Sequence, residues 1–268
     1  MSQSFRLLRK YVGLYWAFFR ASLTADLEFR ANFALRIVTD IFWYVAQILS
    51  FELLYNFTDH IGTWHRPEMR IFLGVLFVVD AVTMVMLQSN LDVIGESVRK
   101  GTLDLLLSKP VNSQFMISLQ RVSTAHLGNF VLAVGYLGWA CASSEGFSWP
   151  RLFWLILMVP CGVLVFYAFR FLFATATVIY TGAGNIQYLF YHLYRLGMRP
   201  DTIYAPWLKY AVLTVLPMGL IASVPARLVL GTGNPWLGAW AVVMAAFALW
   251  FSSRLWEYAL KNYTSASS

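Results

Sequence analysis

The stretch LDVIGESVRKGTLDLLLSKPVN, residues 91–112, decides how the chain is arranged. It lies between two long apolar runs and carries six charged residues: Asp92, Glu96, Arg99, Lys100, Asp104 and Lys109. Because ionised side chains are costly inside a bilayer, a charged insert between two apolar runs must lie in water. The stretch therefore separates membrane-spanning segments and forms a polar segment at one membrane surface.

Local signals divide this stretch, which we call the elbow, into two short helical turns separated at Gly101. Thr102 is placed to cap the second turn with its hydroxyl, and Asp104 then lies in the first turn, where the helix dipole favours an acid. The Lys-Pro pair at 109–110 ends that turn, because the residue before proline is disfavoured in the helical region. Asn112 or Ser113 can cap the apolar helix that follows.

The second turn carries a leucine face, formed by Leu103, Leu106 and Leu107. The elbow could be a solvated connector between two spans, without a further role. A leucine face held just outside the bilayer would otherwise need a protein partner or the lipid headgroups, because water alone covers it poorly.

The composition is that of an integral membrane protein. Hydrophobic residues make up 59% of the chain and charged residues only 12%, against about 25% in soluble proteins. The net charge of +7 does not require nucleic acid, because basic residues beside spans serve orientation and contact lipid phosphate. Cys141 and Cys161 lie in apolar surroundings without metal-ligand spacing, which argues against a disulfide framework or a zinc site. We find no cleavable signal peptide, since basic residues interrupt the first 30 positions.

Hydrophobic runs predict an all-α protein with six transmembrane helices in one domain, residues 1–268. An amphipathic helix at 5–20, too charged to span, is expected to lie along the membrane interface. The spans are placed at stretches long enough for about 30 Å of hydrocarbon. They are 32–57, 71–90, 114–142, 152–180, 185–199 and 236–256.

The region 200–233 is rich in proline and is expected to be broken. Pro217 lies in the middle of an apolar run, where it removes a backbone hydrogen bond and favours two half-helices. We expect this hairpin to enter and leave on the outer side, which would bring Arg227 to the lipid phosphates.

Counting Lys and Arg orients the six spans. One side receives Arg6, Arg9, Lys10, Arg20, Arg30, Arg99, Lys100, Lys109, Arg254 and Lys261. The other receives Arg66, Arg70, Arg151, Arg199, Lys209 and Arg227. The first side is therefore predicted to be cytoplasmic, with both termini and the elbow.

Few charges fall inside the spans, and each needs a partner or a function. Arg36 and Asp40 are four apart and are expected to pair with each other. Asp80 and Arg170 are each placed near the middle of a run, where they would form an interhelical ion pair or serve substrate passage. Glu52, near the outer end of the first span, is expected to reach water alone.

The search for catalytic chemistry is negative. No Gly-Lys dipeptide occurs, so the phosphate-binding loop of the Walker type is missing, and the paired glycines at 182–184 and 231–233 lack the rest of a dinucleotide fingerprint. His60 and His65 are interpreted as part of a solvated loop, and His126 and His192 as hydrogen-bonded packing residues. We expect no catalytic residue, metal site or cofactor in this chain.

The elbow resembles the cytoplasmic coupling segment of type-2 ABC permeases in the short subfamily that carries no ATPase. The matching order is E-x-x-R-x-G-x-L-D-x-x-L-x-x-P, at Glu96, Arg99, Gly101, Leu103, Asp104, Leu107 and Pro110. The segment LPMGLIASVPARLVLG, residues 216–231, is similar to the proline segment before the last span of these permeases. Its matching residues are Pro217, Pro225, Ala226, Arg227 and Gly231.

This resemblance implies a permease subunit of the bacterial inner membrane that exports an amphipathic drug, lipid or peptide. The subfamily works as a dimer, with separate ATPase subunits that bind ATP and Mg. By the same resemblance, Leu103, Asp104 and Leu107 would dock on the ATPase. We expect the two permease chains, in a homodimer or a heterodimer, to meet through 33–44 and 186–193.

Two other classes remain open from the sequence. A secondary transporter should show an internal repeat and coupling carboxylates at the midplane, where Asp80 is the one candidate. A membrane-embedded lipid-modifying enzyme should show clustered acids, histidines or a serine dyad, which we do not find.

Overall fold

A computed structural model describes residues 3–145, 147–180 and 186–263 of the chain. The chain begins with helix α1 (Gln3–Glu28), followed after one residue by α2 (Arg30–Leu54). A two-stranded antiparallel hairpin, β1 (His60–Ile61) and β2 (Trp64–His65), leads into α3 (Arg66–Thr83). The long α1 contains the predicted interfacial helix. It leaves Phe5, Leu8, Val12 and Trp16 exposed on one face, as an interfacial helix requires.

Helix α3 continues through a π-helical turn (Met84–Gln88) and α4 (Ser89–Leu91) into the elbow, which holds α5 (Ile94–Arg99) and α6 (Leu103–Leu107). The rest of the chain is a series of helices joined by short 3₁₀ turns. They are α7 (Ser113–Leu119), α8 (Leu127–Ala142), α9 (Leu152–Ile179), α10 (Ile186–Gly197), α11 (Pro206–Leu213), α12 (Ser223–Leu230) and α13 (Pro235–Asn262).

Within the described residues, five helices are long and apolar enough to cross a membrane, or six if α11 and α12 form one bent span. The five are Arg30–Leu54, Arg66–Arg99, Thr124–Ala142, Trp149–Ile179 and Pro235–Asn262. The predicted all-α membrane class is confirmed, and each of these helices overlaps a predicted span.

The predicted third span, 114–142, is wrong in its first part, because the helix is interrupted between α7 and α8. The backbone groups freed by the break find new partners. The Ser123 amide donates to the carbonyl of Val85 at 2.9 Å, in the π-helical turn. The side chain of Asn90 both accepts from the Arg121 amide at 2.9 Å and donates to its carbonyl at 2.8 Å. Because its backbone groups are hydrogen-bonded in this way, the irregular segment between α7 and α8 is tolerated inside the membrane.

The predicted fifth span, 185–199, corresponds to α10, which has 12 residues. A helix of this length is about 18 Å long and cannot cross about 30 Å of hydrocarbon by itself. It ends at Gly197 because this residue packs against the backbone of Met218, where a Cβ would clash, and because Pro200 follows. Asn185 lies outside the described residues.

Packing is uneven around α3. The apolar window of α3 is 78% buried inside the chain, whereas that of α2 is 6% buried. Helix α8 approaches α3 closely at Gly74, where an added Cβ would lie 2.9 Å from the Cα of Leu137. Helices α9, α12 and α13 complete this main core. The chain therefore consists of a packed core and one nearly uncovered helix, α2.

Contacts define two ends of the bundle. Trp256, late in α13, donates to the Ser113 hydroxyl at 3.0 Å, and its ring lies 5.3 Å from that of Phe171 in α9. We call this end, which includes the elbow, the elbow side. At the opposite end, Arg151 donates to the Leu230 carbonyl at 2.8 Å, and Trp64 of the β-hairpin lies under the Arg227 guanidinium. We call this end the hairpin side.

Candidate functional site: the elbow and an intramembrane cavity

The elbow is shaped by two local features that the sequence predicts. Gly101 has φ +68°, the left-handed region that favours glycine, and it turns the chain between α5 and α6. Asn112 caps α7, since its side chain accepts from the Phe115 amide at 2.9 Å. The expected cap at Thr102 is wrong: its hydroxyl donates instead to the Ser97 carbonyl at 3.4 Å.

The elbow has its own hydrophobic core, and the predicted leucine face forms part of it. Leu103 is 0% exposed and packs in a cluster with Phe171 and Trp256. Leu106 and Leu107 are half-buried against the same cluster. The expectation that Leu103 docks on a partner is therefore wrong, because it is fully buried within the chain's own cluster.

The outer surface of the elbow is polar, with one apolar residue at its centre. Leu105 is 67% exposed, in the turn whose neighbouring leucines point inward. The other exposed residues are charged, polar or small: Asp92, Glu96, Arg99, Lys100, Thr102, Ser108, Lys109, Pro110 and Asn112. Asp104 and Gly101 are half-buried. Glu96 and Lys100 form an exposed ion pair at 2.6 Å, which contributes little to stability. Leu105 is therefore an exposed apolar residue surrounded by charged and polar side chains.

Helix α1 is attached to the elbow and to the segment that follows it. Lys10 donates to the Pro110 carbonyl at 3.3 Å, and the ring of Tyr11 meets that of Phe115 edge to face at 4.7 Å. Further along α1, the Asp26 carboxylate accepts from both the amide and the hydroxyl of Thr124, at 3.0 and 2.6 Å. Helix α1 is therefore joined to the elbow and to the segment that follows it by direct contacts.

The C-terminal end of α13 also reaches the elbow. Burial raises the pKa of the Tyr263 hydroxyl, and the neighbouring Asp104 carboxylate raises it further. The two ends of the described chain thus lie on the elbow side, together with the charged stretch.

The predicted ion pair between Asp80 and Arg170 is not formed. Arg170 is the nineteenth residue of α9, so it lies at the depth of the elbow and pairs there with Asp92. The Tyr191 hydroxyl donates to the same carboxylate at 3.0 Å, and its ring lies 4.9 Å from the guanidinium. Asp80 lies deeper and accepts one hydrogen bond, from the Tyr194 hydroxyl at 3.3 Å. The sequence could not show this difference in depth.

Other intramembrane charges also have partners that the sequence did not indicate. Asp40 pairs with His126 at 2.6 Å and accepts from Asn129 at 2.7 Å, so the expected Arg36–Asp40 pair is wrong. The predicted packing role of His126 is confirmed. Glu52 does not reach water alone, because Arg70 binds both of its carboxylate oxygens, at 2.6 and 3.0 Å.

The proline-rich region is broken as predicted. Helices α11 and α12 meet at 71°, and Pro217 lies in the break between them. Pro225 lies within the first turn of α12, and Gly231 caps that helix with φ +77°. The expectation that Arg227 contacts lipid phosphate is wrong, because it pairs with the fully buried Asp201.

Two cavities lie beside α10. The first, of about 380 Å³, lies between α2, α3, α9 and α10 and is lined by Asp80, Arg170 and several aromatic rings. His192, expected to be a packing residue, is exposed at this cavity. The second, of about 690 Å³, lies towards the hairpin side between α2 and α10. No group of three or more His, Cys, Asp or Glu able to hold a metal occurs among the described residues.

Long apolar helices, a water-facing charged elbow and polar cavities between helices define a polytopic α-helical membrane protein with the architecture of a transporter. The model of the family described as "ABC-2 family transporter protein" matches residues 41–267. The chain therefore belongs to the ABC-2 transporter family, and the resemblance noted in its sequence is confirmed. No curated protein and no solved structure matches the chain.

Proposed function

We propose that this chain is the permease subunit of an ATP-driven exporter, which moves an amphipathic substrate outward with the help of separate ATPase subunits. The observation that carries the proposal is the elbow: a water-facing surface centred on Leu105 and fixed to the bundle by the buried Leu103. The partner ATPase would bind ATP and Mg, so this chain needs no cofactor and carries out no catalysis.

The elbow is well placed to receive motion from a motor. Helix α3 runs into it as part of one 34-residue segment, Arg66–Arg99. The same segment forms the centre of the main core and carries Asp80 beside the first cavity. A push on the elbow would thus reach the cavity through a continuous helix.

The elbow side is proposed to be the cytoplasmic side of a bacterial inner membrane. Basic residues are concentrated in the early segments of this side, as the positive-inside rule requires. Both ends of the described chain contact the elbow or its neighbours, which supports this orientation.

The path between α9 and α13 is proposed to consist of one crossing by α10 with its following 3₁₀ turn, and a re-entrant hairpin formed by α11 and α12. The ion pair between Asp201 and Arg227 supports it, because this pair holds the start and the end of the hairpin at the same depth. The proposal can be tested with single cysteines at exposed positions of a Cys141→Ala, Cys161→Ala background. We expect an impermeant thiol reagent to label Ala205→Cys and Thr232→Cys from outside intact cells, and Ser108→Cys only after lysis. Labelling of positions 205 and 232 from opposite sides would show instead that the bent pair crosses the membrane.

A second permease chain is proposed to cover α2. Apolar side chains recur along α2 at alternating spacings of three and four, all of them more than 40% exposed: Leu35, Val38, Phe42, Val45 and Leu49. This spacing suits a helix–helix seam. The contacts of α2 with its own chain at Asp40 and Tyr44 lie on another face. The exposed seam ends at Leu49, because the next position on its face, Glu52, pairs with Arg70 of the same chain.

Native mass spectrometry of the co-expressed complex should give two permease chains and two ATPase chains. In the cysteine-free background, Val38→Cys and Phe42→Cys should form crosslinks between permease chains, together with Tyr188→Cys on the exposed face of α10. Ile156→Cys, a matched exposed position on α9, should not. Crosslinks at position 156 with none at 38 or 42 would place the dimer interface elsewhere.

A further inference from the structure

The two cavities beside α10 adjoin each other and differ in their ionisable groups: Asp80 lines only the first, where the neighbouring Arg170 is already paired with Asp92. They share Trp43, Arg195 and Met198 in their linings. We call the first the acidic cavity, because Asp80 lines it, and the second the basic cavity, because Arg195 and Arg199 line it. Each volume falls within the range of sites for small molecules, about 300 to 1,000 Å³.

In the acidic cavity the Asp80 carboxyl has no counter-ion among the described residues. The residue is 9% exposed, and its Oδ2 atom has no hydrogen-bond partner in the described chain. No cationic side chain of the described residues lies within ion-pair distance of it, and Arg170 is already paired with Asp92. Burying an ionised carboxylate without a counter-ion is costly, and a bound cation would stabilise the ionised form of Asp80.

The walls of the acidic cavity suit a cation. They include the rings of Trp43, Phe166, Tyr188, Tyr191 and Tyr194. Aromatic faces attract organic cations, above all quaternary ammonium groups, and the attraction grows when water is excluded. A carboxylate among these rings adds the counter-charge.

The basic cavity offers the opposite chemistry. Arg195 and Arg199 are exposed, and neither forms an ion pair with an acid of the described residues. Gln47 of α2 lines the same cavity and can donate hydrogen bonds, whereas the Ser50 hydroxyl beside it donates to the Ala46 carbonyl at 2.7 Å. Guanidinium groups bind phosphate and carboxylate through paired hydrogen bonds.

We propose that the two cavities together bind a zwitterionic amphipath, with its cationic group against Asp80 and its anionic group at Arg195 and Arg199. Arg195 lines both cavities. The cationic and anionic groups of such a headgroup are a few bonds apart, so one can lie against Asp80 while the other binds Arg195. The proposal rests on the proposed transport function, since it names the substrate class that this function would carry.

Isothermal titration calorimetry on the full chain held in amphipol tests the proposal. The probes share one alkyl chain and are used below micelle formation: dodecylphosphocholine, dodecyltrimethylammonium and dodecyl phosphate. We expect the zwitterion to bind most tightly. Asp80→Asn should weaken the zwitterion and the cation at least about tenfold and spare the anion. Arg195→Gln should weaken the zwitterion and the anion and spare the cation.

Three controls make the result decisive. Glu28→Gln removes an exposed carboxylate at the end of α1 that lines neither cavity, and it should change nothing. Asp80→Glu keeps the charge, and it should keep cation binding even if Asp80→Asn proves unstable. Unchanged cation binding in Asp80→Asn, or equal binding of all three probes in every variant, would overturn the proposal. ATPase co-purification with Asp80→Asn should equal that of the wild type, so a failure of the cavity proposal is distinguishable from a failure of the transport function.

Discussion

Leu103→Asp is expected to destabilise the elbow-side half of the protein by at least about 3 kcal/mol. Leu103 is fully buried against Phe171 and Trp256. The substitution removes an apolar side chain and leaves a carboxylate in an apolar cluster. The variant should unfold at a much lower temperature in detergent, and the α5–α6 segment should become sensitive to protease.

Leu105→Asp is the matched control for this effect. The two leucines lie two residues apart on the same short helix, but Leu105 is 67% exposed and Leu103 is 0% exposed. The same substitution at position 105 should change stability by no more than about 0.5 kcal/mol. Equal loss of stability at both positions would contradict the orientation of α6 described above.

Leu103 and Leu105 also show what the sequence could and could not predict in the elbow. The left-handed turn at Gly101 and the cap at Asn112 follow from local chemistry, and both are present. Which leucine points outward depends on how α6 rotates against α9 and α13, and that contact is distant in sequence. The leucines at 103, 106 and 107 share a face as predicted, but this face is the inner one.

The relative depth of charged residues on different helices also could not be predicted from the sequence. Hydropathy located the long spans, because about 20 apolar residues are a strong signal. It did not show that Arg170 lies level with Asp92 and not with Asp80, because the tilt and offset of two helices are set by packing. For the same reason the ion pair between Asp201 and Arg227, 26 residues apart, had no signal in the sequence.

Short irregular elements were a further limit of prediction. The break after α7 is joined to the π-helical turn at Met84–Gln88 by a hydrogen bond from the Ser123 amide to the Val85 carbonyl. Either feature alone would leave backbone groups unsatisfied in an apolar environment. Hydropathy averaged over a window of the sequence does not distinguish either feature from an uninterrupted helix. That α10 is too short to span the membrane has a clearer signal in the sequence, because Gly197 and Pro200 mark its end.

The second large effect expected is loss of the ATPase from a folded permease. Leu105 lies at the centre of a charged, water-facing surface, and truncating such an anchor costs more than about 2 kcal/mol, or about 30-fold in affinity. A carboxylate at this position adds the cost of burying a charge in the interface. Leu105→Asp should therefore abolish ATPase-driven transport while leaving the membrane domain intact.

Co-purification of the ATPase with tagged Leu105→Asp permease tests the central claim most directly. Asn262→Asp, an exposed position at the end of α13 on the elbow side, places a comparable negative charge outside the docking surface and serves as the control. We predict that Leu105→Asp keeps the wild-type unfolding temperature and loses nearly all bound ATPase, while Asn262→Asp retains it. A full complement of ATPase on the folded Leu105→Asp variant would show that the elbow is not the surface through which this permease is driven.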